Sequence, residues 1–342
     1  MKEKIFSLLR ILFFLTIGGL LFWLVIRHQN IDLIKEKLRE ADWKWAALSL
    51  IFGFISNIFR SLRWNMLIHP LGDRPKTVNT FGAVMVGYLA NLALPRLGEV
   101  SRCAILNRYE KTPLNKLFGT VVTERIIDVV TIFLLLFVVV MLEFTKMSAF
   151  SIQYVFNPLG EKLNIFLAHN VLFYILVLAG IAILFLLSWL IFIRFRETRY
   201  FLKLRDILRG FVTGIKTVSQ LQNRSLFLVY TALIWGLYLL MSYTTFFCFN
   251  ATSSLGMVTA LAVMVFGGFG WAAPVQGGFG TYHIIVTQTL VLFGMSQNDG
   301  LAFAILSHAT QVFGMLAFGL ISLVVLPIFN RKTKALNQTA QQ

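Results

Sequence analysis

Several charged residues of this chain stand inside or directly beside long apolar runs. The stretch 94–99 interrupts one such run with a proline, a glycine, an arginine and a glutamate. Arginine binds phosphate through two parallel hydrogen bonds, so Arg96 and Arg102 are expected to bind a phosphate-bearing lipid head group. Asn91 and Glu99 would then contact its hydroxyls or amines. The alternative is an ordinary loop between helices, in which these charges meet water.

A second group of charges lies within the apolar run 117–142. Glu124 and Asp128 are four residues apart and share one helix face, and Arg125 can pair with Asp128. Charges inside a membrane span are costly and often mark a functional path, although a structural ion pair near the interface is the alternative. The group holds one acid more than its arginine can pair, which predicts another cation nearby. The candidates are Arg60, Arg63 and Arg102.

A third group is rich in glycine and consists of Gln276, Gly277, Gly278, Gly280 and His283. It lacks the Lys-Ser/Thr pair of a nucleotide-binding loop, which argues against a nucleotide site. The glycines can let two helices approach closely, or can free backbone N–H groups for an anion. The histidine can contact substrate or protons, or can be a hydrogen-bonded structural residue. His308 and Asp299 lie outside any helix break and are weaker candidates.

The elements that carry these groups belong to a membrane protein. Of 342 residues, 57% are hydrophobic and 13% charged, and the mean hydropathy is +0.75, far from the composition of soluble domains. The net charge of +16 comes from basic clusters between apolar runs, which is the pattern of cytoplasmic loops rather than of nucleic-acid binding. The cysteines, Cys103 and Cys248, have no metal-ligand spacing.

The apolar runs predict an all-α polytopic protein with about six full spans and two re-entrant hairpins. The runs are 8–26, 44–59, 77–94, 117–142, 171–193, 226–249, 255–273, 284–294 and 300–327. The first is expected to be a retained helix because no cleavage site follows it. The stretch 143–170 is expected to be an external loop. The stretch 194–225 is expected to be a basic amphipathic helix on the cytoplasmic face.

The hairpin predictions follow from charge. If 77–94 crossed the membrane completely, the basic segment 95–116 would force the N-terminus outside, against the basic residues near it. A hairpin over 77–110 that opens to the cytoplasm removes this conflict, makes 60–76 cytoplasmic and leaves 27–43 outside. A second hairpin over 255–294 opens outward, although two full crossings would also satisfy the charges.

The order span–hairpin–span then occurs twice, with opposite orientations. The copies are 44–64, 77–110 and 117–142, then 226–249, 255–294 and 300–327. This is the plan of an inverted-topology repeat, whose broken helices meet near the midplane. One transmembrane domain, 1–330, would comprise a leading part (1–43), a first half (44–142), a connecting part (143–225) and a second half (226–330). A basic, polar cytoplasmic tail would follow at 331–342.

The charged motifs resemble those of the lysylphosphatidylglycerol synthase transmembrane-region family, also called the flippase-like domain family, over roughly 40–330. The motifs are Arg60-x-x-Arg63-Trp64, Gly87-Tyr88-x-x-Asn91-x-x-x-Pro95-Arg96-x-Gly98-Glu99-x-x-Arg102 and Glu124-Arg125-x-x-Asp128. The stretch 274–283 is similar to a second family motif, Pro-x-Pro-Gly-Gly-x-Gly-x-x-Glu. It departs at Gln276, which replaces the second proline, and at His283, which replaces the glutamate.

The resemblance implies that the chain binds or flips lipids, such as aminoacylated phosphatidylglycerol or polyprenyl-phosphate-linked sugars. About a dozen residues follow the last apolar run, so no aminoacyl-transferase domain, no enzyme activity and no cofactor are expected. The expected setting is a bacterial cytoplasmic membrane, with both termini cytoplasmic. Two other hypotheses remain, namely a non-transporting membrane scaffold and an intramembrane lipid-modifying enzyme. The enzyme would use Glu99, Glu124, Asp128 and His283.

Overall fold

The computed structural model describes residues 31–94, 96–143 and 221–339, together with Thr16, Gly19, Leu20, Trp23 and Arg27, and its described side chains end at Arg331. Four sequence predictions therefore lie wholly or mainly outside the described residues. They are the first helix at 8–26, the external loop at 143–170, the span at 171–193 and the amphipathic helix at 194–225.

Every regular element of the described residues is helical. The α-helices are α1 (Ile31–Glu40), α2 (Trp43–Ile68), α3 (Thr77–Ala93), α4 (Leu97–Glu110), α5 (Leu114–Leu142), α6 (Arg224–Phe246), α7 (Met257–Ala272), α8 (Thr281–Leu292) and α9 (Gln297–Thr339), with 3₁₀ turns at His69–Leu71 and Gln276–Gly278. This confirms the prediction of an all-α polytopic membrane protein.

Four stretches are long and apolar enough to cross a bilayer, namely Trp43–Leu71, Leu114–Leu142, Arg224–Phe246 and Gln297–Arg331. They coincide with four of the six predicted spans. Their outer faces carry large apolar side chains that are more than half exposed, which suits contact with lipid tails. Examples on α5 and α9 are Phe133, Leu134, Phe137, Phe313 and Val324.

Helices α3 and α4 form an antiparallel hairpin around the charged break. A side-chain carbon added at Gly87 would stand 2.9 Å from the carbonyl oxygen of Gly98, so glycine permits the close approach of the two backbones. The N–H of Gly98 donates to Oδ1 of Asn91 at 2.7 Å, which satisfies one of the free donors at the start of α4. Arg96, immediately before α4, adopts a left-handed backbone with φ of 66°.

Helices α7 and α8 form a second antiparallel hairpin around the glycine-rich break. The hydroxyl of Thr281 donates to the carbonyl of Gly270 at 2.9 Å, across the base of the turn. Gly277, Gly278 and Gly280 have φ values of 55°, 67° and 83°, a region that other residues rarely adopt. The turn therefore requires glycine at these three positions.

The order helix–hairpin–helix occurs twice, in α2 to α5 and again in α6 to α9. The first helices of the two copies, α2 and α6, pack antiparallel. Ser49, near the start of α2, donates to the carbonyl of Met241 near the end of α6 at 3.1 Å, and Arg63 contacts Thr231 at 3.4 Å. This antiparallel pairing is the one that an inverted repeat predicts. Re-entrance of the hairpins into the bilayer stays a prediction.

Three helices extend beyond the predicted boundaries. Helix α2 was expected to end at 64 but continues to Ile68, and it buries Arg60 and Arg63, because their charges are paired inside the protein. The cytoplasmic position of 60–76 stays a prediction. The expected external loop 27–43 contains α1, which an ion pair of 2.7 Å between Lys37 and Asp299 holds to the start of α9. Helix α9 continues to Thr339, and the basic, polar cytoplasmic tail at 331–342 stays a prediction.

Candidate functional site

Glu124 lies at the centre of a buried ion cluster. One of its carboxylate oxygens accepts from Arg60 at 2.6 Å and lies 3.4 Å from Arg63. The other oxygen accepts from Arg102 at 2.8 Å. The side chain of Glu124 is 0% exposed, so these three guanidinium groups replace the water that a carboxylate would otherwise bind.

Asp128, one turn further along α5, completes the cluster. It accepts from Arg63 at 2.7 Å and from Arg60 at 3.0 Å. Sequence analysis predicted an additional cation for Glu124 and Asp128, and all three of the candidate arginines serve in that role. Whether the cluster binds a ligand stays a prediction.

Three helices supply the cluster, and aromatic packing fixes their spacing. Arg60 and Arg63 come from α2, Arg102 from α4 and the carboxylates from α5. The guanidinium of Arg102 lies over the ring of Trp64 at 4.5 Å from its centroid, a favourable cation–π geometry. The indole N–H of Trp64 donates to Thr120 at 2.8 Å. The first hairpin is thereby held against both long helices of its half.

Arg125 differs from the other arginines in its exposure. Its side chain is 43% exposed, and its contacts with Glu124 and Asp128 are long, at 3.8 Å and 4.0 Å. The cluster then contains four guanidinium groups and two carboxylates, so it carries an excess of two positive charges. Since Arg125 is the most loosely held of the four, it is the group best able to receive an anion.

A cavity of about 640 Å³ adjoins the cluster. Its walls come from both halves and include α2, α3, α5, α6, α7 and α9. Half of the residues predicted to bind substrate line it, namely Arg60, Asn91, Arg96, Glu99, Arg125, Asp128 and Gly277. The other half, which does not line it, consists of Arg63, Arg102, Glu124, Gln276, Gly278, Gly280 and His283. Their contact with substrate stays a prediction.

The two helix breaks meet across the interior, as predicted. The side-chain amide of Gln276 donates to the carbonyl of Ala93, the last residue of α3, at 3.0 Å. A side-chain carbon added at Gly277 would stand 3.0 Å from Leu92. The glutamine that departs from the family motif thus caps a free carbonyl of the opposing hairpin.

The expectation that backbone N–H groups near Gly277–Gly280 hold a phosphate needs correction. The N–H groups of Gly278, Phe279 and Gly280 donate to the carbonyls of Val275 and Gln276 and to Nδ1 of His283, at 3.1 to 3.3 Å. The tight turn consumes these donors itself. An anion in the cavity therefore depends on the arginines.

His283 and His308 form a buried pair beneath the second break. Their ring centroids are 4.7 Å apart, and His308 stacks on Trp271 at 4.9 Å. Nε2 of His308 lies 2.7 Å from the carbonyl oxygen of Gly277, and because a carbonyl only accepts, this nitrogen donates. His283 accepts from the N–H of Gly280 in this turn, and its contact with substrate stays a prediction. His308, which sequence analysis rated lower, supports the wall of the cavity.

The two halves place different chemistry at equivalent positions. Glu99 is the third residue of α4 and His283 the third residue of α8, and each helix follows a residue with positive φ, Arg96 or Gly280. Glu124, Arg125 and Asp128 lie ten, eleven and fourteen residues beyond the start of α5, and the same offsets in α9 give Ser307, His308 and Gln311. The first half is therefore charged where the second is neutral.

Comparison with known proteins identifies the family. The sequence model of the family described as the lysylphosphatidylglycerol synthase TM region matches residues 8–319, which is most of the chain. The chain belongs to this family. It is also 29% identical over 129 residues to UPF0104 membrane protein MJ1595 of Methanocaldococcus jannaschii, a stretch that covers 36% of this chain and 38% of that protein. The chain thus matches well under half the length of this relative. No solved structure matches it.

Sequence reasoning missed several cavity residues of this lysylphosphatidylglycerol synthase TM-region protein. Asn57 and Tyr88 line the cavity and lie three residues before Arg60 and Asn91, on the same helix faces, a spacing that could have revealed them. Trp235, Tyr238 and Gln311 come from the second half and carried no such signal. Among the described residues, no group of three or more histidine, cysteine or acidic side chains could hold a metal ion.

Proposed function

We propose that this protein binds the phosphate of a membrane lipid in the central cavity and moves that lipid between the two leaflets. The observation that carries the proposal is the excess of two positive charges beside a cavity walled by both hairpins. Phospholipids and polyprenyl-phosphate-linked lipids both present the required anion. Membership of a lipid-related family supports the proposal.

The walls of the cavity suit an amphipathic occupant. Arg125 and Arg60 stand at its charged end, whereas Ile132, Phe133 and Phe318 supply apolar wall. Ligand sites combine such apolar surface with a few placed polar groups that fix orientation. A phosphate on Arg125 would leave the lipid tails against the apolar side chains of the helices.

Movement of the head group requires the two hairpin tips to separate and meet again. In the second half, His283 and His308 are in ring contact, which the proposal assigns to one state of the cycle. The equivalent residues of the first half are Glu99 and Arg125, and Arg125 pairs instead with Glu124 and Asp128. The halves of an inverted repeat exchange their conformations during transport. In the opposite state Glu99 would reach Arg125 and the histidines would part.

The proposal includes a setting and a class of activity. Basic residues near each end of the chain, such as Lys4 and Lys332, favour cytoplasmic termini in a bacterial cytoplasmic membrane. The protein would act as a transporter and not as an enzyme. Under this proposal the lipid leaves chemically unchanged.

The test is lipid movement in vesicles that contain the purified full-length protein. A fluorescent phospholipid is followed by chemical quenching of its outer-leaflet population. The Arg125→Gln variant should slow movement by at least tenfold, because it removes a charge-assisted contact. The matched control is Arg108→Gln, which changes an exposed arginine outside the cavity.

Three outcomes would contradict the proposal. Unimpaired movement by a folded Arg125→Gln variant would show that the cluster is structural. No movement by the wild-type protein would favour a scaffold. A change in the mass of the lipid after incubation would favour a lipid-modifying enzyme.

A further inference from the structure

Six buried polar atoms of the described residues on the walls of the cavity have no hydrogen-bond partner. They are Oδ1 of Asn57, Nε of Arg60, Oε2 of Glu99, Nε of Arg125, Nε1 of Trp235 and Nε1 of Trp271, and all six residues line the cavity. Buried polar atoms in folded proteins are nearly always paired. The two arginine atoms belong to groups that the proposed phosphate would contact, so the other four point to a further part of the ligand that supplies their partners.

The chemistry of these atoms restricts the ligand. An indole N–H only donates, so Trp235 and Trp271 require acceptors. The amide nitrogen of Asn57 already donates to the carbonyl of Gly53 at 2.8 Å, which leaves its oxygen as an acceptor. The carboxylate oxygen of Glu99 is also an acceptor. Once the phosphate serves the two arginine nitrogens, the cavity still lacks two acceptors and two donors, and a hydroxyl group can serve as either.

Simpler head groups satisfy only part of this set. A bare phosphate monoester has mainly acceptors, and an ammonium group has only donors. A zwitterionic head group would satisfy all four atoms only if its phosphate lay at the indoles. That phosphate would have to serve the two indoles of α6 and α7 in addition to the unpaired arginine nitrogens of α2 and α5. A group with several hydroxyls satisfies donors and acceptors at once.

Aromatic rings flank the two indoles. Trp235 lies 6.0 Å from Tyr238 and Trp271 lies 6.0 Å from Tyr282, measured between ring centroids, and all four rings line the cavity. Such rings combine a flat apolar face with a polar edge. A sugar or cyclitol ring matches this surface, since its C–H groups pack on the ring faces and its hydroxyls reach the edges.

We propose that the head group attached to the bound phosphate is a polyhydroxylated ring, a sugar or a cyclitol, held by Trp235, Trp271, Asn57 and Glu99. This inference rests on the proposed function, because it names the part of the lipid beyond the phosphate. It assigns Arg60 and Arg125 to the phosphate and these four residues, two from each half, to the hydroxyls.

The test compares three phospholipids that share the same acyl chains, using native mass spectrometry of the purified full-length protein. Phosphatidic acid offers phosphate alone, phosphatidylethanolamine adds an amine, and phosphatidylinositol adds a polyhydroxylated ring. Phosphatidylinositol should bind about tenfold more tightly than phosphatidic acid, since each new hydrogen bond contributes about three- to tenfold.

Single substitutions then test which residues bind the polyhydroxylated ring. Trp235→Phe and Trp271→Phe keep an aromatic ring and remove the N–H. Each should weaken phosphatidylinositol binding by about three- to tenfold and leave phosphatidic acid binding unchanged. The matched control is Trp45→Phe, because Trp45 packs on Phe247 and lies outside the cavity. Melting temperatures of the variants check that they are folded.

The outcomes separate this inference from the proposed function. Equal binding of phosphatidylinositol and phosphatidic acid, or a preference for phosphatidylethanolamine, would overturn the polyhydroxylated ring and leave phosphate binding intact. Failure of all three lipids to bind, with no effect of Arg125→Gln, would instead overturn the proposed function.

Discussion

Glu124 is the residue on which the buried charges of the first half depend. It contacts Arg60, Arg63 and Arg102 within 3.4 Å, whereas Asp128 contacts two of these arginines and is 12% exposed. A buried ion pair adds little net stability, but the removal of one partner leaves an uncompensated charge. Removal of this carboxylate would therefore leave three buried arginines without one of their counter-charges.

We expect Glu124→Gln to destabilise the protein by about 3–5 kcal/mol, the usual cost of breaking a buried ion pair. Asp128→Asn should cost less, because its side chain is partly solvated and leaves fewer arginines unpaired. The measurement is detergent-induced unfolding of the purified protein, with Glu36→Gln as an exposed control. If Glu124→Gln unfolds like the control, the cluster is not a structural element.

At the scale of elements, the first hairpin depends on the contact between Gly87 and the backbone at Gly98. Gly87→Ala would place a carbon 2.9 Å from a backbone oxygen, which cannot move aside as a flexible side chain can. We expect a loss of about 1–3 kcal/mol from this overpacking, measured by unfolding as above.

Gly119→Ala is the matched control for this hairpin prediction. Gly119 also lies within a helix, α5, but a carbon added there would meet nothing within 4 Å. Alanine has the higher helix propensity, so this variant should gain up to about 1 kcal/mol. Equal stability of the two variants would show that α3 and α4 do not approach as described.

Hydropathy predicted the long helices because a span needs only length and apolar composition. It placed four of them correctly but missed α1, which is short and mixes charged and apolar residues. It also assigned Arg60 and Arg63 to a cytoplasmic segment, since their carboxylate partners lie about 60 residues away in the sequence. Burial of a charge depends on its partner, and one local stretch of sequence does not contain that information.

The sequence likewise predicted only part of the candidate site. Arg60, Asn91, Glu99, Arg125 and Asp128 were identified because charged or amide groups stand out in an apolar sequence. His308 was rated low and Gln311 was missed, because their correspondence to Arg125 and Asp128 appears only when the starts of α5 and α9 are known. Tryptophans near the cavity resemble ordinary interfacial tryptophans in sequence.

At the scale of the whole molecule, each hairpin contacts the last helix of the other half, but the first hairpin does so much more extensively. Helix α3 packs on α9, where Asn79 and Asn330 exchange hydrogen bonds of 2.8 and 3.0 Å. In the other half, α7 meets α5, where Phe133 and Phe269 have centroids 6.2 Å apart. Relative movement of the halves must alter the contact between the hairpin tips.

A reversible crosslink between the hairpin tips should stop lipid movement. Cysteines at Ala93 and Gln276, whose parent residues are hydrogen bonded at 3.0 Å, would be joined by a short thiol reagent and later released. Movement in vesicles should fall on crosslinking and recover on reduction. Cysteines at Ser49 and Met241, on the antiparallel pair α2 and α6, form the control. Full movement with the tips joined would exclude their separation as a step in transport.

The arginines of α2 have a consequence for how the protein is made. During synthesis α2 emerges before α5, so Arg60 and Arg63 reach the membrane before Glu124 and Asp128 exist to neutralise them. Each unpaired arginine deep in a span opposes insertion by up to about 3 kcal/mol.

We expect α2 alone to insert poorly and to insert efficiently when the chain extends through α5. Glycosylation-site mapping of truncated chains measures this, and efficient insertion of α2 alone would contradict it. Assembly of the cluster would then be a step of biogenesis, completed only when the third of its helices arrives.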